Sequence, residues 1–390
     1  MFGLSSVYSA VSRTKRELPQ VLQPPLLTEP SVSRRVALPT IGEQKDIRYH
    51  SAPARGLLNG PESTGMGYWS INPYVGCAFG CTYCYARYAH RYALDRALTT
   101  SNPPAELRQE IEAIPPWLAF ERHVLVKENA ASLLAHELRP GSAKLTALQA
   151  GELVVIGTAT DPYQPAERRF RITRRVLETL AEHTGLSIVL ISKSSLVTRD
   201  VEVLQRISER SRLSIHLSLI TLNRDLARLI EPRAPTPGAR LRALARLRQA
   251  GIDVGINVMP VLPGITDEPR DIDALVRAVA AAGATHLNAG SLRLRSTAKA
   301  RYLPFISEHF PHLADRYARS FANGHALSEQ YREGLQRHFR KVCAREGVRY
   351  GSPDEDGESV YLPKPKPEPQ TDLFRDSVSA EGAPVAGDAT

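Results

Sequence analysis

Residues 152–160 read ELVVIGTAT, and the segment RRVLETLAEHTG follows at 174–185. The first run is apolar and rich in β-branched residues, as buried strands are, whereas the second places apolar residues at helical spacing. The same succession returns at once, because LSIVLIS at 186–192 precedes RDVEVLQRISERS at 199–211. Strands joined by crossover helices in this way predict a parallel sheet covered by helices.

The same alternation continues to about residue 295. Its further segments are LSIHLSLIT (213–221), ARLRALARLRQAG (239–251), IDVGINVMPVLPG (252–264), DIDALVRAVAAAG (271–283) and ATHLNAGSLRL (284–294). With WSINPY at 69–74 as one more strand, about six strands are expected, too few for a closed eight-stranded barrel. We therefore predict an α/β fold with a partial (β/α)6 TIM-like barrel or a doubly wound sheet. Either places the active site at the carboxyl ends of the strands.

The segments outside this alternation suggest a single domain between two tails. Residues 1–48 are rich in Pro, Ser and Arg and are expected to be a flexible tail, and 351–390 to be a disordered acidic, Pro-rich tail. The domain at 49–350 contains the barrel, at about 70–295, and a C-terminal helical extension, at about 300–347. The extension should close with an amphipathic helix. Its apolar residues at helical spacing are Leu327, Tyr331, Leu335, Phe339 and Val342.

Composition favours a cytoplasmic location. Hydrophobic residues make up 42% of the 390 residues, yet no apolar run reaches the roughly 18 residues that a membrane span needs. The N-terminal segment lacks the features of a secretory signal. Three of the four cysteines fall within eight residues, so metal binding or redox chemistry is a better interpretation than structural disulfides.

The net charge of +9 is unevenly distributed. Residues 166–250 hold 17 Lys and Arg against 8 Asp and Glu. A basic zone of this kind is consistent with DNA or RNA as a partner, although solvated helix faces in Arg-rich proteins have the same composition. One hypothesis is therefore a nucleic-acid-binding protein whose metal loop is structural.

The cysteine-rich stretch GCAFGCTYCYARY at 76–88 is the strongest chemical signal in the chain. Cys77, Cys81 and Cys84 are separated by three and then two residues, and the flanking glycines allow the tight turns with which thiolates converge on an inorganic core. An electron-transfer four-iron cluster uses a fourth cysteine, so three thiolates would leave one iron open for a reacting ligand. Structural zinc, with His90 or His123 as a further ligand, is the alternative. Cys343 lies on the apolar side of the last helix and is expected to be buried and inert.

CAFGCTYC resembles the cluster loop of the radical S-adenosylmethionine (SAM) superfamily. Further segments resemble the branch that contains spore photoproduct lyase and bacterial proteins labelled DNA repair photolyase. These segments are NPYVGC, the VKEN run, GTATDPYQPAE, SKSSLVTRD, the EPRAP run and GIDVGINVMPVLPG. The resemblance covers about residues 49–348 and implies an enzyme that uses a 4Fe-4S cluster and SAM, together with a reductant such as flavodoxin or ferredoxin.

The resemblance also implies roles for residues at the ends of the strands. Tyr83 should lie against the adenine of SAM. Relatives hold the methionine amino group with a Gly-Gly-Glu run, where this chain has GTATDP, so Thr160 and Asp161 become substitutes. Lys193 corresponds to the lysine that pairs with the methionine carboxylate and Ser218 to the serine that binds the ribose. Asn257 occupies the same place on the fifth strand.

Tyr85 follows Cys84, as does a tyrosine of spore photoproduct lyase that takes part in hydrogen return, so it is a candidate catalytic residue. That enzyme also needs a hydrogen-donating cysteine near the end of its second strand, where this chain reads VVIGTATDPYQ. Repair of thymine dimers is therefore not the expected reaction. Modification of a peptide or protein is a further alternative, although the chain has no spare cysteines for an auxiliary cluster.

Overall fold

The computed structural model describes residues 40–44, 46–65, 67–87, 90 and 105–351. Its strands are β1 (Thr40–Gln44), β2 (Ile47–Ser51), β3 (Leu58–Asn59), β4 (Trp69–Ile71), β5 (Tyr74–Val75), β6 (His123–Val126), β7 (Leu153–Ile156), β8 (Ser187–Ser192), β9 (Arg212–Ser218), β10 (Asp253–Val261), β11 (His286–Ser291) and β12 (Arg349–Tyr350).

The main sheet contains eight strands in the order β12-β11-β10-β9-β8-β7-β4-β3. Every pair from β4 to β12 is parallel, and only the short β3 runs antiparallel, against β4. Neighbours in this order follow one another along the chain, except that β5 and β6, which belong to another sheet, come between β4 and β7. Among the described residues this sheet is open, with β12 at one edge and β3 at the other. The predicted α/β fold with about six parallel strands is thus confirmed.

Helices cover the outer face of this sheet and form the C-terminal extension. They are α1 (Pro61–Thr64), α2 (Ala105–Glu112), α3 (Pro116–Arg122), α4 (Ala130–Glu137), α5 (Ala143–Gln149), α6 (Ala166–Phe170), α7 (Ile172–Ala181), α8 (Val201–Ser208), α9 (Arg224–Ile230), α10 (Pro237–Gln249), α11 (Pro269–Ala281), α12 (Ser296–His309), α13 (Ala314–Ser320) and α14 (Glu329–Glu346), with 3-10 turns at Ser195–Asp200 and Pro311–Leu313.

The core lies between the sheet and these helices. Alternate residues of each strand, such as Ile188 and Leu190 on β8, pack against helix residues such as Val176 and Leu180 on α7. Each fully buried Leu, Ile or Val contributes about 1.5–3 kcal/mol relative to exposure. The opposite strand faces are left to line the interior, and they carry many of the polar side chains of the sequence.

A second, four-stranded sheet has the order β1-β2-β6-β5. Its strands β2 and β6 are parallel, with Tyr49 opposite Val124. The sequence did not predict this sheet, because its strands are short and their partners lie far apart along the chain. The expected N-terminal tail at 1–48 is wrong in its last part, since β1 and the start of β2 lie in it. Residues 1–39 and 352–390 are outside the described residues.

The C-terminal extension ends in α14, as expected. Leu335, Phe339 and Val342 are buried on its inner side together with Cys343. Leu327 lies before this helix, because Ser328 caps it by accepting a hydrogen bond from the Tyr331 amide. No helix among the described residues combines the length and the apolar character needed to cross a membrane.

Candidate active site

The cysteine loop follows β5 and is fixed by backbone hydrogen bonds to distant segments. The amide of Cys77 donates to the carbonyl of Phe120 at 2.9 Å, and the amide of Thr82 donates to the carbonyl of Ile230 at 3.0 Å. The Arg87 guanidinium, which is fully buried, donates to the Cys81 carbonyl. These contacts hold the loop in place without using a cysteine side chain.

Two glycines allow the loop to turn. Gly76 and Gly80 have φ values of 86° and 65°, in the left-handed region that side chains rarely adopt. A Cβ on Gly80 would lie 2.7 Å from Glu121 Oε2 and 2.8 Å from Arg233 Nη2. The sequence-based interpretation of these glycines therefore agrees with the geometry of the loop.

Cys77 and Cys81 belong to one apolar cluster, and Cys84 packs against it. Burial raises the pKa of Cys77 to about 12, and the charges of Asp161 and Cys84 add to this effect. Burial also raises the pKa of Cys81, with further contributions from Cys84 and Cys77. A cationic metal core would overcome this cost, because coordinated thiols lose their proton outright. Cys343 belongs to a different cluster in the main core. The donor set therefore fits a core held by three thiolates.

Each histidine of the zinc alternative makes one contact outside the cysteine loop. His90 Nε2 lies 3.1 Å from the His123 carbonyl, and His123 Nδ1 lies 3.1 Å from His50 Nε2. His90 Nδ1 is buried without a hydrogen-bond partner among the described residues. In the part of the chain that the structure describes, no group of three or more His, Cys, Asp or Glu side chains is arranged to hold a metal ion.

Thr160 is hydrogen-bonded to the backbone of the cysteine loop. Its hydroxyl donates to the Gly76 carbonyl at 2.6 Å, and the Gln164 amide nitrogen donates to the same oxygen at 3.0 Å. Gln164 Oε1 also accepts from the amide of Ala78 at 2.9 Å. The Thr160 hydroxyl is thus engaged by the protein, which differs from its expected contact with the amino group of SAM.

Asp161 ties the ends of β7 and β8 together. Its Oδ1 accepts from Ser192 Oγ at 2.7 Å and from the Tyr163 amide at 2.9 Å, while its Oδ2 accepts from the Lys193 amide at 2.7 Å. Burial raises the pKa of Asp161, although these hydrogen bonds oppose the rise. Both carboxylate oxygens are therefore occupied in orienting the turn that carries Lys193.

A buried carboxylate, Glu231, joins two of the predicted cofactor residues. The hydroxyl of Tyr83 donates to Glu231 Oε1, and Lys193 Nζ lies 4.0 Å from the same oxygen. Lys193 Nζ also lies 5.7 Å from the centroid of the Tyr83 ring. The buried Arg240 guanidinium bonds to Glu231 Oε2. We call Tyr83, Lys193, Glu231 and Arg240 the pocket network.

Ser218 ends β9, and Asn257 lies beside it in the middle of β10. The carbonyl of Ser218 accepts a hydrogen bond from Arg240 Nη1 at 2.9 Å, which connects β9 to the pocket network. Asn257 Oδ1 lies 3.2 Å from His216 Nδ1 and accepts from Asn288 Nδ2 at 3.2 Å. Asn257 is therefore part of a buried polar cluster inside the sheet.

Among the aromatic side chains near the loop that the structure describes, Tyr85 is the most exposed. It is 44% exposed, and its hydroxyl donates to the carbonyl of Thr158 at the end of β7. The structure thus places this candidate catalytic residue at the carboxyl end of the sheet.

Sequence reasoning missed Glu231, Arg240 and Gln164. Glu231 lies in the EPRAP run that carries the resemblance, and this was a signal that the position matters. Arg240 is one of many arginines in its segment, and no spacing rule distinguishes it from solvated neighbours.

Comparison with known proteins agrees with this arrangement. The sequence model of the Radical SAM superfamily matches residues 71–276. An uncharacterized protein of Mycobacterium tuberculosis (strain ATCC 25618 / H37Rv) is 32% identical over 301 residues, which span 77% of this chain and 81% of the relative. The chain therefore belongs to the radical SAM superfamily. It is a radical SAM enzyme, and its family implies an iron-sulfur cluster and SAM.

Two further similarities concern proteins with named activities. The radical SAM Nalpha-GlyT isomerase of Pseudomonas phage M6 is 28% identical over 200 residues, covering 50% of this chain and 40% of the isomerase. A solved spore photoproduct lyase variant with bound AdoMet and dinucleoside spore photoproduct superposes with a TM-score of 0.53. The alignment covers 77% of this chain and 81% of the lyase at 14% sequence identity, which shows a shared fold.

Proposed function

We propose that this enzyme holds a 4Fe-4S cluster on Cys77, Cys81 and Cys84 and cleaves SAM reductively. The observation that carries the proposal is the placement of three thiols at one apolar cluster beside the Lys193 ammonium, whose charge interacts with Cys81. When bound, the cluster and SAM supply one-electron chemistry that yields a 5′-deoxyadenosyl radical, which abstracts hydrogen from a substrate. A flavodoxin or ferredoxin is the proposed reductant.

The chain's own residues bind and orient the cofactor. Lys193 pairs with the methionine carboxylate, since a buried ammonium favours a carboxylate partner. Tyr83 lies against the adenine and Ser218 bonds to the ribose. Thr160 and Asp161 hold the loop and the turn of the pocket, and their contact with the methionine amino group stays a prediction.

Asn257 and Tyr85 complete the proposed site. Asn257 lies on the interior face in the middle of β10, next to Ser218, and its amide is proposed to reach the cofactor from there. Tyr85 is exposed at the carboxyl end of the sheet. We propose that Tyr85 faces the substrate and takes part in returning hydrogen.

A nucleic acid is the proposed substrate class. The structure of the lyase contains a dinucleoside spore photoproduct, and the basic zone at 166–250 supplies a surface for phosphates. The zone is partly neutralised, because Arg174 bonds to Asp200 and Glu202 and Arg199 bonds to Glu167. Exposed arginines on α6 and α7 remain available to contact the phosphate backbone of a nucleic acid. Simple dimer repair is not proposed, since the end of β7 carries no thiol.

Metal analysis tests the cluster directly. Protein purified and reconstituted without oxygen should hold about four irons per chain and absorb in the thiolate-to-iron region. Cys77→Ala should lose this iron, whereas the control Cys343→Ala should retain it. Stoichiometric zinc without such absorbance, or full iron in Cys77→Ala, would contradict the proposal.

A further inference from the structure

One carboxylate holds together side chains from four separate segments of the chain. Glu231 accepts from Tyr83 of the cysteine loop and faces Lys193 at the end of β8. It also bonds to Arg240 of α10, whose other nitrogens donate to the carbonyls of Pro235 and Ser218 at 2.9 Å. Three residues proposed to contact SAM, namely Tyr83, Lys193 and Ser218, therefore depend on this carboxylate for their relative positions.

Opposite charges hold the pocket network together. Glu231 lies between the cations Lys193 and Arg240, and the charges of Asp161 and Cys81 also act on Lys193. Burial opposes the charge on Glu231, but Arg240 and Lys193 outweigh it and hold the pKa of Glu231 below its usual value. Removing one partner of a buried ion pair is costly, because the other charge is left without its partner. The position of the Lys193 ammonium therefore depends on Glu231.

A second buried network of similar composition is balanced. Glu167 accepts from the hydroxyl of Tyr74 at 2.5 Å and pairs with Arg199 at 2.9 Å, as Glu231 does with its own tyrosine and arginine. Here Asp200 supplies a second carboxylate, which pairs with Arg199 and Arg174. Glu167 therefore occupies a comparable environment away from the cysteine loop, which makes it a matched control for Glu231.

We propose that Glu231 is the positioning residue of the SAM pocket, holding the Lys193 ammonium against the Tyr83 ring so that it meets the methionine carboxylate. This inference rests on the proposed function. In Glu231→Gln the amide can still accept from Tyr83, but Lys193 loses its counter-charge while Arg240 stays anchored and repels it. The selectivity of the pocket for a carboxylate should therefore fall.

The test compares the affinities of the loaded enzyme for SAM and for decarboxylated SAM. Glu231→Gln should lower the preference for SAM about tenfold, equivalent to ~1.4 kcal/mol, with its iron content unchanged. Glu231→Asp shortens the side chain by one methylene and should also lower the preference for SAM. This second variant tests the proposal if Glu231→Gln does not bind the cluster. The matched control Glu167→Gln should keep the wild-type preference.

The outcomes separate the two proposals. If wild type and Glu167→Gln bind the cluster and SAM, and both Glu231 variants prefer SAM as wild type does, the role of Glu231 is overturned alone. If wild type binds neither the cluster nor SAM, the proposed function itself fails. An equal loss of affinity for both ligands would also contradict the inference, because it would show general damage to the pocket.

Discussion

The amide of Lys193 donates a 2.7 Å hydrogen bond to Asp161 Oδ2, which joins the ends of two neighbouring parallel strands. The contact fixes the backbone from which the Lys193 side chain reaches Glu231 and Tyr83. Asp161, which the sequence suggested as a ligand of SAM, thus holds the backbone of Lys193, the residue that is proposed to bind SAM.

Asp161→Asn should weaken this link. The amide can accept only on its oxygen, so one of the three donors loses its partner, at a cost of about 1–3 kcal/mol in folding free energy. The Lys193 turn loosens, and the affinity for SAM should fall. Equilibrium binding and denaturant unfolding check both effects. In the control Asp253→Asn, which affects the hydrogen bonds to Ser214 and Thr285 at the other end of the strands, stability should fall and SAM affinity should not.

Gly80→Ala should reduce iron binding. The added Cβ meets Glu121 and Arg233 at less than 3 Å, and the left-handed backbone adds about 1–2 kcal/mol of strain. Gly185→Ala is the matched control, because Gly185 has a φ of 75° but nothing lies within 4 Å of the added Cβ. Iron analysis after reconstitution should show a loss only in Gly80→Ala. Equal iron in the two variants would refute the role given to the loop geometry.

Acid should destabilise the buried histidine pair. His216 Nε2 and His286 Nε2 lie 3.0 Å apart. Burial lowers the pKa of His216 to about 3 and that of His286 to about 4. The unfolded chain, with a histidine pKa near 6.5, binds more protons, so stability is present above pH 6.5 and is lost as the pH falls towards 4. Each histidine contributes a slope of about 1.4 kcal/mol per pH unit.

Unfolding free energies measured from pH 7 to pH 4.5 check this slope. His286→Gln should flatten the pH dependence by about one proton, whereas His312→Gln, at an exposed position, should leave it unchanged. An unchanged slope in His286→Gln would show that the pair does not control the acid response.

Nucleic-acid binding should depend on the arginines of α6 and α7. Arg168 and Arg171 are exposed there. Reversing both charges to Glu should weaken binding to DNA or RNA and reduce its salt dependence, because fewer counterions are released. The same double reversal at the exposed Arg316 and Arg319, outside the basic zone, should have a smaller effect. Fluorescence anisotropy at several salt concentrations distinguishes the two double variants. Equal effects would contradict the assignment of nucleic-acid binding to α6 and α7.

The sequence could predict features that depend on local patterns. Strand and helix periodicity was enough for the parallel sheet, and the cysteine spacing was enough for the thiol loop. The small sheet could not be predicted, because β2 pairs with β6 across a long separation. Glu231 was missed because its partners Tyr83, Lys193 and Arg240 come from three other segments, and only the fold brings them together. The assigned roles of Thr160, Asp161, Ser218, Asn257 and Tyr85 on SAM stay predictions.

The most direct test of the central claim is the release of 5′-deoxyadenosine. Anaerobically reconstituted wild-type protein mixed with SAM and dithionite should form it, and omission of dithionite or the substitution Cys84→Ala should abolish it, while Cys343→Ala should not. Product in Cys84→Ala at the wild-type level, or none from wild-type protein that holds a full cluster, would contradict the account.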